Sequence, residues 1–331
     1  GVKTPTDRPG RLTSMSTRIQ RASRTAVLLA AAALAAQGSA GPQASSSQEA
    51  LARALTLLRG ADEDEGADRR CRQQLSALAD SAAPGLIAAL LDPGALRDER
   101  GPLVDGRARG LVLEALQARP AEELDPILAA CLPVGQGPFE QLQAIELLGE
   151  LGGLGSIEPV LGLLADLDPV LRQNATVAER LERALAGLLG RHEQAFQLVT
   201  ASAEALDVDL QCLLARAVGR AGGGRGLTVL QRLLGRDPGL DRAVLEAVGE
   251  LDPSDPASLR GECADFVSWY LTSSDSELQR LAILALGRHG GARDCARLIP
   301  FLAGAAPETR RAAHWALEAI SGSSWGPEEA T

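Results

Sequence analysis

Asp237-Pro238-Gly239-Leu240 opens one stretch of this chain and Ala247-Val248-Gly249 closes it. An Asp at the start of a helix can accept hydrogen bonds from the first free backbone N–H groups, and Pro beside it suits the first helical position. The same opening stands at Asp168-Pro169-Val170-Leu171-Arg172, and the same close at Ala144…Leu148-Gly149, Ala217-Val218-Gly219 and Ala285-Leu286-Gly287. With the opening residue as anchor, copies fall at Asp105, Gly137, Asp168, Asp207, Asp237, Asp275 and Ala306, in steps of 32, 31, 39, 30, 38 and 31 residues. A fixed period of tens of residues is the signature of a repeat architecture. The two long steps read as the basic unit plus an insertion of roughly two helical turns. One insertion lengthens a helix around Val177–Leu189; the other is Asp252–Gly261. A degenerate eighth copy covers Gln48–Pro93, where Leu75-Ser76-Ala77-Leu78 and Leu86-Ile87-Ala88-Ala89-Leu90-Leu91 keep the apolar phase.

Within a unit the apolar residues recur at the helical period. Leu278, Ala282, Ala285 and Leu286 form one stripe, and Leu298, Phe301 and Leu302 form the stripe of the helix after it. Between them, Gly287-Arg288-His289-Gly290-Gly291 is a Gly-rich stop suited to the left-handed backbone that ends many helices. Each unit therefore reads as helix–turn–helix. No window shows sustained Val/Ile/Thr alternation, so strands are not expected.

Asp168-Pro-Val-Leu-Arg172-Gln-Asn-Ala175 and Ala306-Pro-Glu-Thr-Arg310-Arg-Ala-Ala313 resemble the opening of the second helix of a HEAT repeat, whose pattern is Asp-Pro-x-Val-Arg-x-x-Ala. The match is similar to the short bacterial HEAT-like subclass also found in phycobilisome lyases, and it covers about Gln48 to Gly322. The resemblance implies an all-α fold: an α-solenoid of about seven to eight stacked helix-turn-helix repeats, spanning 48–322, whose second helices bind proteins or ligands. The Arg of the pattern is replaced by Gln211, Asp241 and Gln279 in three units, so a continuous Asp–Arg ladder is not expected.

The ends and the charge add a second layer. Met15 begins a segment with Arg18, Arg21 and Arg24, then the apolar run Ala26–Ala36, then Gly38-Ser39-Ala40. The run is too short to span a bilayer, and the layout is that of a secretory signal peptide cleaved after Ala40. The expected organisation is an upstream extension at 1–14, a signal peptide at 15–40, a linker at 41–47, the repeats at 48–322 and a tail at 323–331. Export to the periplasm or the extracellular space follows from this reading. Removing Lys3 and five Arg against Asp7 takes the net charge from −10 to −15. So acidic a body repels phosphate backbones, which disfavours nucleic acid as a partner, and no stable membrane insertion is expected after cleavage. The five cysteines (71, 131, 212, 263 and 295) show no C-x-x-C spacing, so no metal site is signalled; Cys263–Cys295 is the best disulfide candidate.

Catalytic chemistry finds little support. The chain has three His: His192, His289 and His314. His192-Glu193 invites comparison with deoxyhypusine hydroxylase, a HEAT-type enzyme with repeated His-Glu pairs on a di-iron site, but one pair cannot supply that ligand set. His289, in its Gly-rich turn, is expected to be exposed. Gly222-Gly223-Gly224-Arg225-Gly226 joins two helices and lacks the Lys of a phosphate-binding loop, and Asp62-Glu63-Asp64-Glu65 lacks calcium-loop spacing. Asn174-Ala175-Thr176 fits the glycosylation acceptor pattern but reads as mid-helix. No cofactor is implied.

Counting each anchor as position 1, positions 4, 8, 11 and 12 face the core and positions 6, 10 and 14 project outward. Position 10 gives Glu114, Glu146, Arg216, Glu246, Leu284 and Trp315; positions 6 and 14 add Arg220, Arg242, Glu250, Arg280, Arg288 and Arg311. The strip grows more basic and more apolar toward the C-terminus. Arg280, Leu284, Arg288, Arg311 and Trp315 are the candidate partner-binding residues, since Arg and Trp are the side chains most used as interface anchors. Six of the eight aromatic residues follow position 265 (Phe266, Trp269, Tyr270, Phe301, Trp315 and Trp325), where a repeat array needs a cap. Ser321–Gly326 either folds back as that cap or, by its similarity to a Trp-containing segment that follows bacterial HEAT arrays, marks a chain truncated after Thr331. The favoured reading is an exported, non-catalytic protein-interaction scaffold; the alternatives are a HEAT-like lyase or enzyme subunit, and a purely structural repeat module.

Overall fold

The computed structural model describes residues 51–52, 65–92, 97–98, 101–102, 106–131, 137–222, 224–252, 257–303 and 306–323. The expected leader segments 1–14, 15–40 and 41–47, and Trp325 in the tail, lie outside them. Packing divides the chain into two compact units, one ending at Asp168 and the other starting at Pro169. The described residues are almost wholly helical.

The first unit holds α1 (Glu65–Leu91), α2 (Gly106–Gln117), α3 (Ala121–Cys131), α4 (Pro138–Leu151), a 3-10 turn Leu154–Ser156 and α5 (Ile157–Asp166). The backbone of α1 leaves helical geometry at Ala82 (φ −142, ψ 32), two residues before Pro84, so it is two helices in sequence. Leu75 and Ala79 are buried before the break, and Leu86, Ile87 and Leu90 after it. Arg69–Leu91 is long and apolar enough to cross a membrane by length and composition; here it is interrupted at Ala82 and packs against α2, α3 and α4. One contact ties this unit together: the Asp125 carboxylate of α3 accepts from Gly153 N–H (2.7 Å), Gly155 N–H (2.9 Å) and Ser156 Oγ (2.5 Å) in the turn ahead of α5. Strands were not expected, yet β1 (Arg97–Asp98) and β2 (Gly101–Pro102) form a short antiparallel ladder with Arg97 opposite Pro102. Two residues per strand are too few to print an alternating pattern on the sequence.

The second unit contains α6 (Pro169–Arg172), α7 (Ala175–Arg191), α8 (Ala195–Ala203), α9 (Val208–Ala221), α10 (Gly224–Leu233), α11 (Pro238–Glu250), α12 (Ala257–Ser268), a 3-10 turn Trp269–Thr272, α13 (Ser276–His289), α14 (Ala292–Leu298), a 3-10 turn Ile299–Leu302 and α15 (Pro307–Ser321). Helices α7, α9, α11, α13 and α15 pack side by side in order. The intervening helices cover them: α10 packs on α9 and α11, α12 on α13 and α14 on α15.

The anchors do what local chemistry predicts. Asp207, Asp237 and Asp275 are the N-caps of α9, α11 and α13; their side chains accept from Leu210 N–H (2.9 Å), Gly239 N–H (2.7 Å) and Glu277 N–H (2.8 Å). Such caps stabilise a helix by about 1 kcal/mol each. Asp168 behaves differently. It opens only the four residues of α6; Asn174 then restarts the chain as N-cap of α7, accepting from Thr176 and Val177 N–H. The first insertion therefore makes an extra turn ahead of a long helix, and Asn174 is an exposed cap rather than mid-helix. The Gly-rich stop of α13 also differs: Gly290 is extended (φ −69, ψ 169), with its N–H on Leu286 O at 2.7 Å. Positive φ is confined, among the described glycines, to Gly222, Gly235 and Gly322.

The closing glycine of each unit sets the approach of neighbouring helices. A Cβ on Gly219 would stand 2.7 Å from Ala247 Cα, and one on Gly287 would stand 2.7 Å from both Ala316 Cα and the Trp315 ring. At Gly249 the approach is looser, 3.8 Å to Ala285 Cβ. Gly219→Ala and Gly287→Ala are therefore expected to destabilise the protein by about 1–3 kcal/mol through overpacking. Gly249→Ala is expected to stabilise it by about 0.5 kcal/mol, since a helical Gly gives way to Ala without a clash. Urea midpoints of the three variants check this; loss of stability in Gly249→Ala equal to that in Gly219→Ala would refute it.

Candidate functional site

Burial confirms the register on which the strip rests. Leu210, Leu240 and Leu278 at position 4 are buried, as are Ala217, Val218, Ala247, Val248, Ala285 and Leu286 at positions 11 and 12. Glu246, Glu250, Arg220, Arg288 and Trp315 are exposed, and Arg216 and Leu284 are half-buried. Residues at positions 10 and 14 of α9, α11, α13 and α15 thus lie along one side of the helix row.

At the α7 end the strip is a charge network. Arg216 lies between Glu182 of α7 (3.5 Å) and Glu246 of α11 (3.4 Å), and Arg220 also reaches Glu182 (3.4 Å). Glu182 is 5% exposed. Burial pushes its carboxyl above the ordinary value of 4.5, while the Arg216 and Arg220 guanidinium groups pull it back. Two cations hold one desolvated carboxylate, an arrangement that costs desolvation but becomes far costlier if a partner is removed. Sequence reasoning missed Glu182, because it falls at none of positions 6, 10 and 14, whether counted from Asp168 or from the cap Asn174.

Toward the C-terminus the candidate residues have more varied surroundings. Arg280 pairs with Glu277 on its own helix at 2.6 Å, and Arg311 bonds Glu308 on its own helix at 3.2 Å. Arg288 donates to Gly249 O at 2.5 Å, across the gap to the C-terminal end of α11. Leu284 lies one turn from both Arg280 and Arg288. Trp315, 40% exposed, lies over Gly287 with Arg311 one turn before it. The structure therefore places Trp315 at the contact of α13 and α15 and turns Arg288 toward α11, with acidic partners interleaved among the cations.

His289 is not exposed, contrary to the sequence expectation. It is 4% exposed, because α13 runs through it and its Nε2 meets Val248 O at 2.7 Å. A carbonyl can only accept, so Nε2 carries the proton. Arg288 and His289 together satisfy carbonyls at the α11 C-terminus, where the helix dipole favours donors and positive charge.

The Asp–Arg ladder is interrupted, and the structure shows what replaces it. Arg172 of α6 pairs with Asp207 at 2.9 Å, and Arg242 of α11 with Asp275 at 2.9 Å. The hydrogen bond from Arg242, followed by those from Glu277 and Leu278 N–H, holds the Asp275 carboxyl below its ordinary value. Where Gln replaces Arg, the carboxamide donates to a carbonyl eight residues back: Gln211 Nε2 to Ala203 O and Gln279 Nε2 to Leu271 O, both at 2.9 Å. A neutral tie to the preceding loop thus stands in for the ion pair.

His192 caps the C-terminus of α7 while Glu193 pairs with Arg225. Among the described residues, no group of three or more His, Cys, Asp or Glu is placed to hold a metal ion. Cys295 is a thiol, so the candidate pairing with Cys263 does not form. Burial raises the thiols of Cys131 and Cys212 above their ordinary range.

In the interval between the ordinary value of 4.5 and the raised native value of Glu182, the folded protein holds a proton that the unfolded chain releases. The stability contributed by this group is therefore full below 4.5 and is lost as pH rises through the native value. Relative to a Glu182→Gln variant, the parent protein is expected to lose urea resistance as pH rises from 4.5 toward 7. A difference between the two proteins that stays constant with pH would show that the carboxyl is not shifted.

None of the curated proteins matches the chain. Among solved structures it is similar to the crystal structure of an engineered protein, at 17% identity, covering 82% of this chain and 96% of that one, with a TM-score of 0.28. Residues 226–318, which run from α10 into α15 and include all the candidate partner-binding residues, match the family model described as HEAT repeats.

Proposed function

We propose that the protein is an exported, non-catalytic protein-interaction scaffold, built as an α-solenoid of seven to eight HEAT-like repeats over residues 48–322. Its partner is a protein that docks on the outward strip of α9, α11, α13 and α15. HEAT repeats generally serve as protein-interaction scaffolds, and the repeat match supports that much directly. The observation that carries the reading is the shared register of those helices, which lines up Arg216, Glu246, Leu284 and Trp315 on one side with Trp315 40% exposed at the end. A half-exposed Trp and a half-buried Leu at the same position of neighbouring helices, with charged residues along the strip, have the make-up of an interface: apolar anchors among polar groups. The net charge of −10 makes an acidic body, unsuited to general phosphate-backbone binding. The Met15–Ala40 segment supports export to the periplasm or beyond, and N-terminal sequencing of the secreted chain should then begin at Gly41.

The mature chain, used as bait on a periplasmic extract, is expected to retain a discrete partner identified by mass spectrometry. The Arg288→Ala/Trp315→Ala protein should retain it about tenfold less well. Because Arg288 also caps α11, a Leu284→Ser/Arg311→Ala protein is tested beside it, and both are checked for native helicity by circular dichroism. Folded variants that retain the partner undiminished would exclude the strip as the docking face.

A further inference from the structure

Away from the strip, three aromatic side chains meet at one place in the second unit. Phe266 of α12, with Trp269 and Tyr270 of the 3-10 turn after it, join Leu234 and Gly235, which follow α10, to line an open cavity of about 300 Å³. Gly235 is in the left-handed region (φ 75), which turns the chain sharply between α10 and α11 and leaves a wall with no side chain. Trp269 is 82% exposed, the most exposed of the large apolar side chains among the described residues. Burying Trp here would release far more free energy than leaving it in water, so its position at the cavity mouth has no account in the packing of the fold.

A carboxylate stands behind this wall. The Asp241 carboxylate accepts from Gly235 N–H at 2.8 Å and from the Tyr270 hydroxyl, so it sits against two of the lining residues without itself lining the cavity. The nearest cation along the chain, Arg236, is paired with Glu204 at 3.1 Å. Burial, then the Asp241 charge and hydrogen bond, push the Tyr270 hydroxyl up to about 12, which keeps it a neutral donor and the ring an uncharged face.

We propose that this cavity is a binding site for a small quaternary ammonium cation. Aromatic faces attract a cation through the negative charge above the ring, Trp most strongly, and a carboxylate one layer behind adds to the field. The lining side chains offer few acceptors: Leu234, Phe266 and Trp269 bring none, and the Tyr270 hydroxyl oxygen is the one they present. A primary ammonium or guanidinium would leave its N–H groups unsatisfied there, whereas a trimethylammonium group has none to satisfy. The volume is at the lower end of small-molecule sites, enough for a headgroup rather than a large ligand. The site is distinct from the strip on α13 and α15, and does not depend on the scaffold reading.

Choline and its uncharged isostere 3,3-dimethylbutan-1-ol separate charge from apolar fit. In titrations of the full chain followed by the Trp269 indole N–H signal in NMR, assigned by its loss in Trp269→Leu, choline is expected to shift the signal saturably in the millimolar range and the alcohol to leave it in place. Trp269 is mostly exposed, so Trp269→Leu folds; followed by calorimetry, it should weaken choline binding about tenfold. Asp241→Asn keeps the shape, removes the charge and should weaken binding about fivefold. Equal shifts with choline and the alcohol would reduce the site to an apolar hollow and overturn the proposal, as would a Trp269 signal that choline does not move.

Discussion

The second unit depends on how close its helices can come. Where α9 meets α11, Gly219 faces Ala247 with no room for a Cβ, and where α13 meets α15, Gly287 faces Ala316 and the Trp315 ring in the same way. Each contact joins position 13 of one repeat to position 11 of the next. The period of the sequence is thus a spacing rule, because only a chain that returns a small residue to the same height after each helix pair can continue the row. The apolar stripe contributes most of the burial free energy, but Leu and Val would bury as well at many separations. The small residues select one separation.

Polar groups then tie successive helices at this fixed distance, and several do two jobs at once. Asp207 caps its own helix and receives Arg172 from α6; Asp275 caps its own helix and receives Arg242 from α11. One carboxylate therefore fixes both where a helix begins and where its neighbour lies. At the other end of the helices, Arg288 and His289 reach back to carbonyls of α11. Of these ties, Arg242–Asp275 is open to solvent and contributes little to stability by itself, while Arg172 and His289 are buried and give up hydration to make theirs. Their value here is geometric, since each is satisfied at only one offset between helices, whereas apolar contacts tolerate sliding.

Much of this was legible in the sequence because it is local. Asp207, Asp237 and Asp275 cap helices through side-chain bonds to residues two or three positions on, and the position-4 leucines are buried as their period requires. What was not legible comes from competition or from distance. Asp168 and Asn174 are both good caps, and sequence alone does not rank them. The end of α13 could be left-handed or extended, since Gly accepts either. His289 looked like a turn residue because its acceptor, Val248 O, is 41 positions away. The candidate strip was legible as a register, but not as a network. Glu182 stands at none of the strip positions, whereas the acidic partners Glu277 and Glu308 lie three residues before their arginines on the same helix and were within reach of a local reading.

That difference bears on where specificity can reside. Along the helix row, position 10 changes from Arg216 and Glu246, which are bound to one another, to Leu284 and Trp315, which are not charged at all. The core positions hardly change over the same helices, so stacking does not demand the change. A row that only had to be soluble would keep charge at position 10, as its earlier members do. Apolar area at a solvent-facing position carries a free-energy cost in the isolated protein that a bound surface would remove. The same argument applies to Trp269 at the aromatic cavity. In both places the residues that depart from the repeat are the ones whose exposure the fold itself does not require, and it is there, rather than in the repeated core, that a ligand or partner would find something particular to this chain.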